Sequence, residues 1–168
     1  MSDLQDYLND PARPELVAQV RKKIDELGVD NIYYQYVSIT GRIMGKVIPA
    51  KHWERVTDTG MQTWLGGVTN VFADKEGDLI GFAPNASELL ALPDPDTFCQ
   101  LPWNKRLARV FCTVFFSRED PERPEEFLDS DTRGNLRRIH KQFGDDHGLQ
   151  MRVGCEPEML WLKPGDDK

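Results

Sequence analysis

The 168-residue sequence has no excess of positive charge: 21 Lys and Arg face 28 Asp and Glu, for a net charge of −7. Nucleic acids and anionic membranes recruit clustered basic residues, so neither is expected as a partner. Long apolar runs are missing too, and none approaches the ~20 residues of a membrane-spanning helix. The first ten residues, MSDLQDYLND, are acidic and polar, unlike a signal or transit peptide. Cysteine is scarce. Cys99, Cys112 and Cys155 are scattered and odd in number, which argues against a disulfide framework and matches no metal-binding spacing. They read as reduced thiols of a cytoplasmic protein, with Cys112 and Cys155 as core fillers. Gly-x-Gly-x-x-Gly, Gly-x-Ser-x-Gly, His-Glu-x-x-His and Cys-x-x-Cys are all absent. Lys46 follows Gly45, but no phosphate-loop pattern surrounds it, so it reads as a surface lysine. His52, His140 and His147 lack partners at ligand or catalytic-base spacing: His52 reads as exposed or hydrogen-bonded, His140 as structural, and His147 as complementing the dipole at a helix end.

What is present fits a soluble globular protein, with 39% apolar and 29% charged residues. Residues 1–10 read as a mobile or weakly helical lead. Leu16, Val17, Val20, Ile24 and Leu27 then recur at helical spacing, with Pro11 or Pro14 suited to the first turn and Gly28 to the end. Residues 32–39 and 42–48 form a hairpin about Thr40-Gly41, and 50–56 a short helix. A glycine-rich irregular stretch follows, with Trp64 and Leu65 as a candidate contact surface. Residues 78–82 and 87–92 are strand-like, separated by the Pro84-Asn85 turn, and 93–103 an extended, proline-stiffened connection. Residues 107–116, LARVFCTVFF, are apolar on both faces, which predicts a central strand. The acidic segment 118–131 reads as a solvated linker. Residues 132–147 read as a helix with Leu136, Ile139, Phe143 and His140 facing inward, capped by Asp129, Ser130 or Asp131 and closed by Gly148.

Residues 151–162, MRVGCEPEMLWL, read as a final strand. Glu156 and Glu158 lie two apart, so a strand would project both to one face, roughly 6–7 Å apart. Two carboxylates on a half-buried strand repel unless a cation lies between them, and a hard divalent ion such as Mg²⁺ or Mn²⁺ suits oxygen ligands. The other reading is two solvated acids on the outer face of an edge strand.

The order of these elements resembles the N-terminal portion of the glutamine synthetase family. The matching segments are YVSITGRIMGKVIP at 36–49, residues 77–92, the helix start Asp131-Thr132-Arg133, and GCEPEML at 154–160, which is similar to the family's Gly-x-Glu-x-Glu strand. The resemblance runs over residues 16–163. It implies an α+β chain with a lead at 1–15, a β-grasp-like domain at 16–118, and the first helix and strand of the catalytic domain at 119–168. It also implies a ligase that joins glutamate to ammonia or an organic amine with ATP, through a γ-glutamyl phosphate. By the same resemblance, Glu156 and Glu158 are metal ligands for Mg²⁺ or Mn²⁺, and the partner is further copies of the chain in a ring.

The chain departs from the family pattern at 62–70, QTWLGGVTN, where the family carries an acidic loop that helps bind ammonium. Leu65 stands near the place of the acid, which favours an organic amine or an altered acid substrate. The family's remaining ligand and ATP-site residues are not in these 168 residues, so the chain alone is expected to be inactive and to bind metal weakly. Two further readings are a non-catalytic β-grasp module that assembles with a full-length relative, and an unrelated acidic metal-binding protein.

Overall fold

The computed structural model describes residues 2–63, 72–80 and 87–162. Contacts divide the chain into a unit of Met1–Arg137 and a second of Arg138–Lys168. The first unit has an α+β architecture.

Its helices begin with α1 (Asp3–Leu8), where Ser2 Oγ accepts from the Gln5 N–H at 3.3 Å. A six-residue helix does not persist on its own. Here Leu4 is fully buried with Leu90, Leu92 and Phe115, so of the two expectations, a mobile or a weakly helical lead, the helix forms, and it is docked by tertiary packing. Next, α2 (Arg13–Leu27) carries Pro14 in its first turn and ends on Gly28 at φ 64°, a left-handed position suited to glycine. Val20 and Ile24 face the core, whereas Leu27 lies beyond the stripe and is exposed.

A six-stranded sheet forms the frame. β1 (Asn31–Val37) and β2 (Ile43–Pro49) make the expected hairpin, with Gly41 at φ 78° in the turn. Gly45 is opposite Gln35, and a Cβ there would meet the Tyr34 carbonyl oxygen at 1.9 Å, so only glycine allows this approach. A 3₁₀ turn at Ala50–His52 leads into α3 (Trp53–Thr59), and the Trp53 indole N–H donates to the Val17 carbonyl at 3.0 Å. β3 (Met61–Thr63), β6 (Leu89–Pro93), β7 (Cys99–Leu101) and β8 (Asn104–Phe115) complete the sheet. Its order is β2-β1-β8-β6-β3, with β7 also on β8. β4 (Phe72–Ala73) and β5 (Leu79–Ile80) form a separate ribbon.

β8 is the central strand, as its two-faced apolar pattern predicts. It runs parallel to β1 and antiparallel to β6 and β7. Ala108, Val110, Cys112 and Val114 enter the main core with Ile32, Tyr34, Trp53 and Val56. Phe115 enters the smaller cluster beneath α1.

Two connections differ from expectation. Residues 93–103 do not simply extend. Pro95–Thr97 turns, and the Thr97 hydroxyl accepts from the Phe111 N–H at 2.8 Å, so the chain folds back as β7 along β8. The acidic 118–131 segment is not a solvated linker along its whole length. The Phe116 N–H donates to the Glu126 carbonyl and the Leu128 N–H to the Val114 carbonyl, while Phe127 stacks on Phe115 at 4.9 Å. Leu128 is fully buried, because apolar residues among the acids find a free surface on β8.

The last helix, α4 (Thr132–His147), has the expected bounds and is closed by Gly148 at φ 64°. Its expected inner stripe is not buried. Leu136, Ile139 and His140 are exposed, and Phe143 is half-buried against His147, their rings 5.0 Å apart. Among the described residues no apolar layer covers this face. The strand expected at 151–162 is absent as well. Residues 151–162 have no secondary structure and are exposed, Cys155 with them. A strand needs a ladder partner, and no described segment pairs with this one. The Trp64-Leu65 surface, the Pro84-Asn85 turn and residues 64–70 of the expected ammonium-loop equivalent lie outside the described residues.

Candidate functional site

Glu156 and Glu158 are both exposed, on a segment without regular structure. Gly154, just before them, has no neighbour within 4 Å of a Cβ position. Among the described residues no group of three or more His, Cys, Asp or Glu side chains is placed to hold a metal ion. The pair therefore fits a hard divalent cation in kind, with oxygen donors two residues apart, and falls short of it in number. Among the described residues no third ligand stands with these two.

Two other sequence-selected residues, Lys46 and Asp131, have structural partners. The Lys46 ammonium donates to the Gln62 carbonyl at 2.7 Å. Of the three capping candidates, Asp131 is the cap of α4. One carboxylate oxygen accepts from the Gly134 N–H at 3.0 Å, and the other accepts from the Val114 N–H of β8 at 3.0 Å. One 1%-exposed side chain thus closes a helix end and pins it to the central strand.

A buried charge centre was missed from sequence. Asp94 directly follows β6 and is 2% exposed. Its Oδ1 accepts from the Tyr7 hydroxyl of α1 and from the Thr113 hydroxyl of β8, the latter at 3.0 Å. Its Oδ2 pairs with Arg133 and with Arg137, the latter at 2.8 Å. Arg13 closes the same region, its guanidinium 4.6 Å over the Tyr7 ring and bonded to the Thr57 and Pro93 carbonyls. Burial, and then the negative charge of Asp94, push the Tyr7 phenol well above its ordinary range, so it remains a donor. A shallow cavity of about 230 Å³ lies beside this group. A buried carboxylate needs such a shell, since an unpaired charge there would cost several kcal/mol. The sequence signal was weak: Arg133 and Arg137 stand one helical turn apart, but nothing in the local pattern pairs them with Asp94.

A second cleft, of about 510 Å³, is lined in part by Lys46, Arg55, Gln62, Glu88, Arg118 and Glu119. Lys46 and Arg118 are engaged there with the backbone carbonyls of Gln62 and Thr59.

The arrangement is an α+β fold of known type. Two GmaS structures are similar to it. The GmaS/ADP complex has a TM-score of 0.57 at 19% identity over 76% of this chain and 26% of that one. Ligand-free GmaS has a TM-score of 0.56 at 20% identity over 75% and 26%. In sequence, the glutamine synthetases of Staphylococcus aureus (strain Mu50) and Staphylococcus epidermidis are each 26% identical over 156 residues, covering 91% of this chain. No family model matches the chain. These likenesses, in sequence along nearly the whole chain and in fold, support the glutamine synthetase family. The chain spans about 31% of the length of the curated relatives it matches.

Proposed function

We propose that this chain is the N-terminal part of an ATP-dependent ligase of the glutamine synthetase family, joining glutamate to ammonia or an organic amine through a γ-glutamyl phosphate. The observation that carries this reading is the match over 156 residues to glutamine synthetases, for a chain that contains Gly154-x-Glu156-x-Glu158 after α4. In this reading residues 16–118 are the β-grasp-like domain and 119–168 begin the catalytic domain. Glu156 and Glu158 are two ligands for Mg²⁺ or Mn²⁺, and the missing ligands come from sequence beyond the 31% that this chain spans. The ATP site and the assembly into a ring belong to that complete enzyme, in the cytoplasm. Leu65 at the place of the ammonium-binding acid favours an organic amine as acceptor.

Catalysis of this kind needs its whole set of groups held together. The 168-residue chain is therefore inactive alone. Incubation with ATP, Mg²⁺, glutamate and, in turn, ammonia, methylamine and a polyamine should release no phosphate above background. Amine-dependent turnover by the chain alone would overturn this. In the chain extended by its downstream coding sequence, turnover should favour an organic amine, and a clear preference for ammonia would remove the amine assignment.

A second reading is a non-catalytic module that assembles with a full-length relative. The unit Met1–Arg137 favours it, because it closes a core of its own with Trp53, Tyr34 and Val110 at the centre. A stop codon directly after Lys168 in the transcript would support the module. In-frame coding with further acids and arginines would support the ligase.

A further inference from the structure

We infer that Asp94 is a positioning residue that couples the seating of α1 to the seating of the first turns of α4. The two helices are far apart in sequence, and they bind opposite oxygens of one carboxylate. Tyr7 of α1 donates to Oδ1, while Arg133 and Arg137 of α4 hold Oδ2. The carboxylate sits on a fixed base. The Asp94 N–H donates to the Phe111 carbonyl at 2.8 Å, and its own carbonyl accepts from the Thr97 N–H at 3.0 Å, where the 3₁₀ turn begins. Thr113 adds a fourth donor, from the central strand.

Each helix depends on this group for a different reason. α1 has only six residues, so its seating is decided by tertiary contacts. Besides Asp94, these include Leu4 in the apolar cluster, the Tyr7 ring against Phe115 and under Arg13, the Tyr7 hydroxyl on the Pro93 carbonyl at 3.0 Å, the Leu4 N–H on the Glu125 carbonyl, the Phe127 N–H on Asp3, and Ser2 on Glu125. α4 leaves Leu136 exposed in this region, so its first turns are held mainly by polar contacts. Those contacts include the Asp131 cap, the Thr132 hydroxyl on the Val37 carbonyl at 3.5 Å, the Asn135 amide on the Asp129 carbonyl, and the two arginines. Removing the tyrosine hydroxyl leaves Oδ1 with Thr113 alone and loosens the carboxylate that orients both guanidinium groups.

The role deepens the ligase reading and rests on it, because α4 is the helix that precedes Glu156 and Glu158 in the chain. Asp94 then acts on the reaction at second hand, by fixing the start of that helix.

Hydrogen exchange on the full 168-residue chain tests the coupling without any catalytic readout, so its failure and the failure of the ligase reading are distinguishable. Tyr7→Phe should speed exchange at 3–8 and also, by on the order of threefold to tenfold, at 132–137, which Tyr7 does not hydrogen-bond. Asp94→Asn should speed both segments further. Ser2→Ala, which loosens α1 away from Asp94, should speed 3–8 and leave 132–137 at the parent rate. Unchanged exchange at 132–137 in Tyr7→Phe would overturn the coupling. An equal response of 132–137 to Ser2→Ala would also overturn it, since the helices would then communicate through packing. If Asp94→Asn does not fold, Tyr7→Phe and Ser2→Ala still decide.

Discussion

Two stretches of this chain look alike as sequence and differ as structure. LARVFCTVFF at 107–116 and MRVGCEPEMLWL at 151–162 are both short apolar runs rich in Val, Leu and aromatic residues. The first forms most of β8, the central strand of a six-stranded sheet. The second has no secondary structure, and Val153, Leu160 and Trp161 are between 84% and 89% exposed. The difference is one of partners. β8 has β1 on one side and β6 and β7 on the other, the main core on one face, and on its other face Thr113 bonded to Asp94 and Phe115 in the smaller cluster, so its backbone groups and side chains are satisfied together. Apolar character supplies a driving force only where there is apolar surface to bury against.

Matched substitutions in the two regions sharpen this contrast. The largest difference is expected for the tryptophans. Trp53 is fully buried between Tyr34 and Phe98, whereas Trp161 is exposed. Trp53→Ala should cost about 3–5 kcal/mol by urea denaturation. Trp161→Ala should stay within about 0.5 kcal/mol of the parent. A comparable loss for both would show that 151–162 is packed in solution.

The acids come next. Asp131→Ala removes the α4 cap and leaves the Val114 N–H without its side-chain acceptor, which should cost about 2–3 kcal/mol. Glu156→Ala should leave the melting temperature unchanged. Calorimetric titration with Mn²⁺ should show only weak binding to this chain. Tight stoichiometric binding lost in Glu156→Ala would reverse the expectation that the remaining ligands are elsewhere.

The smallest effect is expected at the thiols. Burial first, and then the charge of Asp94, push the Cys112 thiol well above its ordinary value of 9.0, while Cys155 is exposed. The unfolded chain ionises Cys112 first, so the unfolded state binds fewer protons and stability falls as pH rises beyond about 9. Burial raises Tyr34 as well, and Tyr7 likewise, so the decline should steepen above about pH 10. Denaturation midpoints between pH 8 and 10.5 measure the slope. Cys112→Ala should remove its first part, and Cys155→Ala should leave it unaltered. At pH 8 a thiol reagent should label Cys99 and Cys155 in the folded chain, and Cys112 only on unfolding.

Local rules made much of the first unit legible. Pro14 and Gly28 bracket α2, Gly41 turns the β1–β2 hairpin, and alternation on both faces marks β8 as central. They failed where distant residues decide. Nothing in MSDLQDYLND says that Leu4 will be fully buried, because its pocket is built by Leu90, Leu92 and Phe115. The spacing of Leu136 and Ile139 marks a helix face correctly and does not say whether anything covers it. The candidate metal pair was legible as residue types in order, whereas a metal site is a geometry of several ligands that two positions do not define.

The sequence by itself determined α2, α4, the β1–β2 hairpin and β8, since periodicity, proline and glycine act through the local backbone. It also determined the family likeness, which resides in the order of short motifs from residue 36 to residue 160. The tertiary structure alone decided that α1 is docked, that the acidic segment after β8 folds back over Phe115, and that Asp94 gathers Tyr7, Thr113, Arg133 and Arg137 around one carboxylate. The Asp94 contacts join residues 19 to 87 positions apart, and their energies depend on burial, which no local pattern carries.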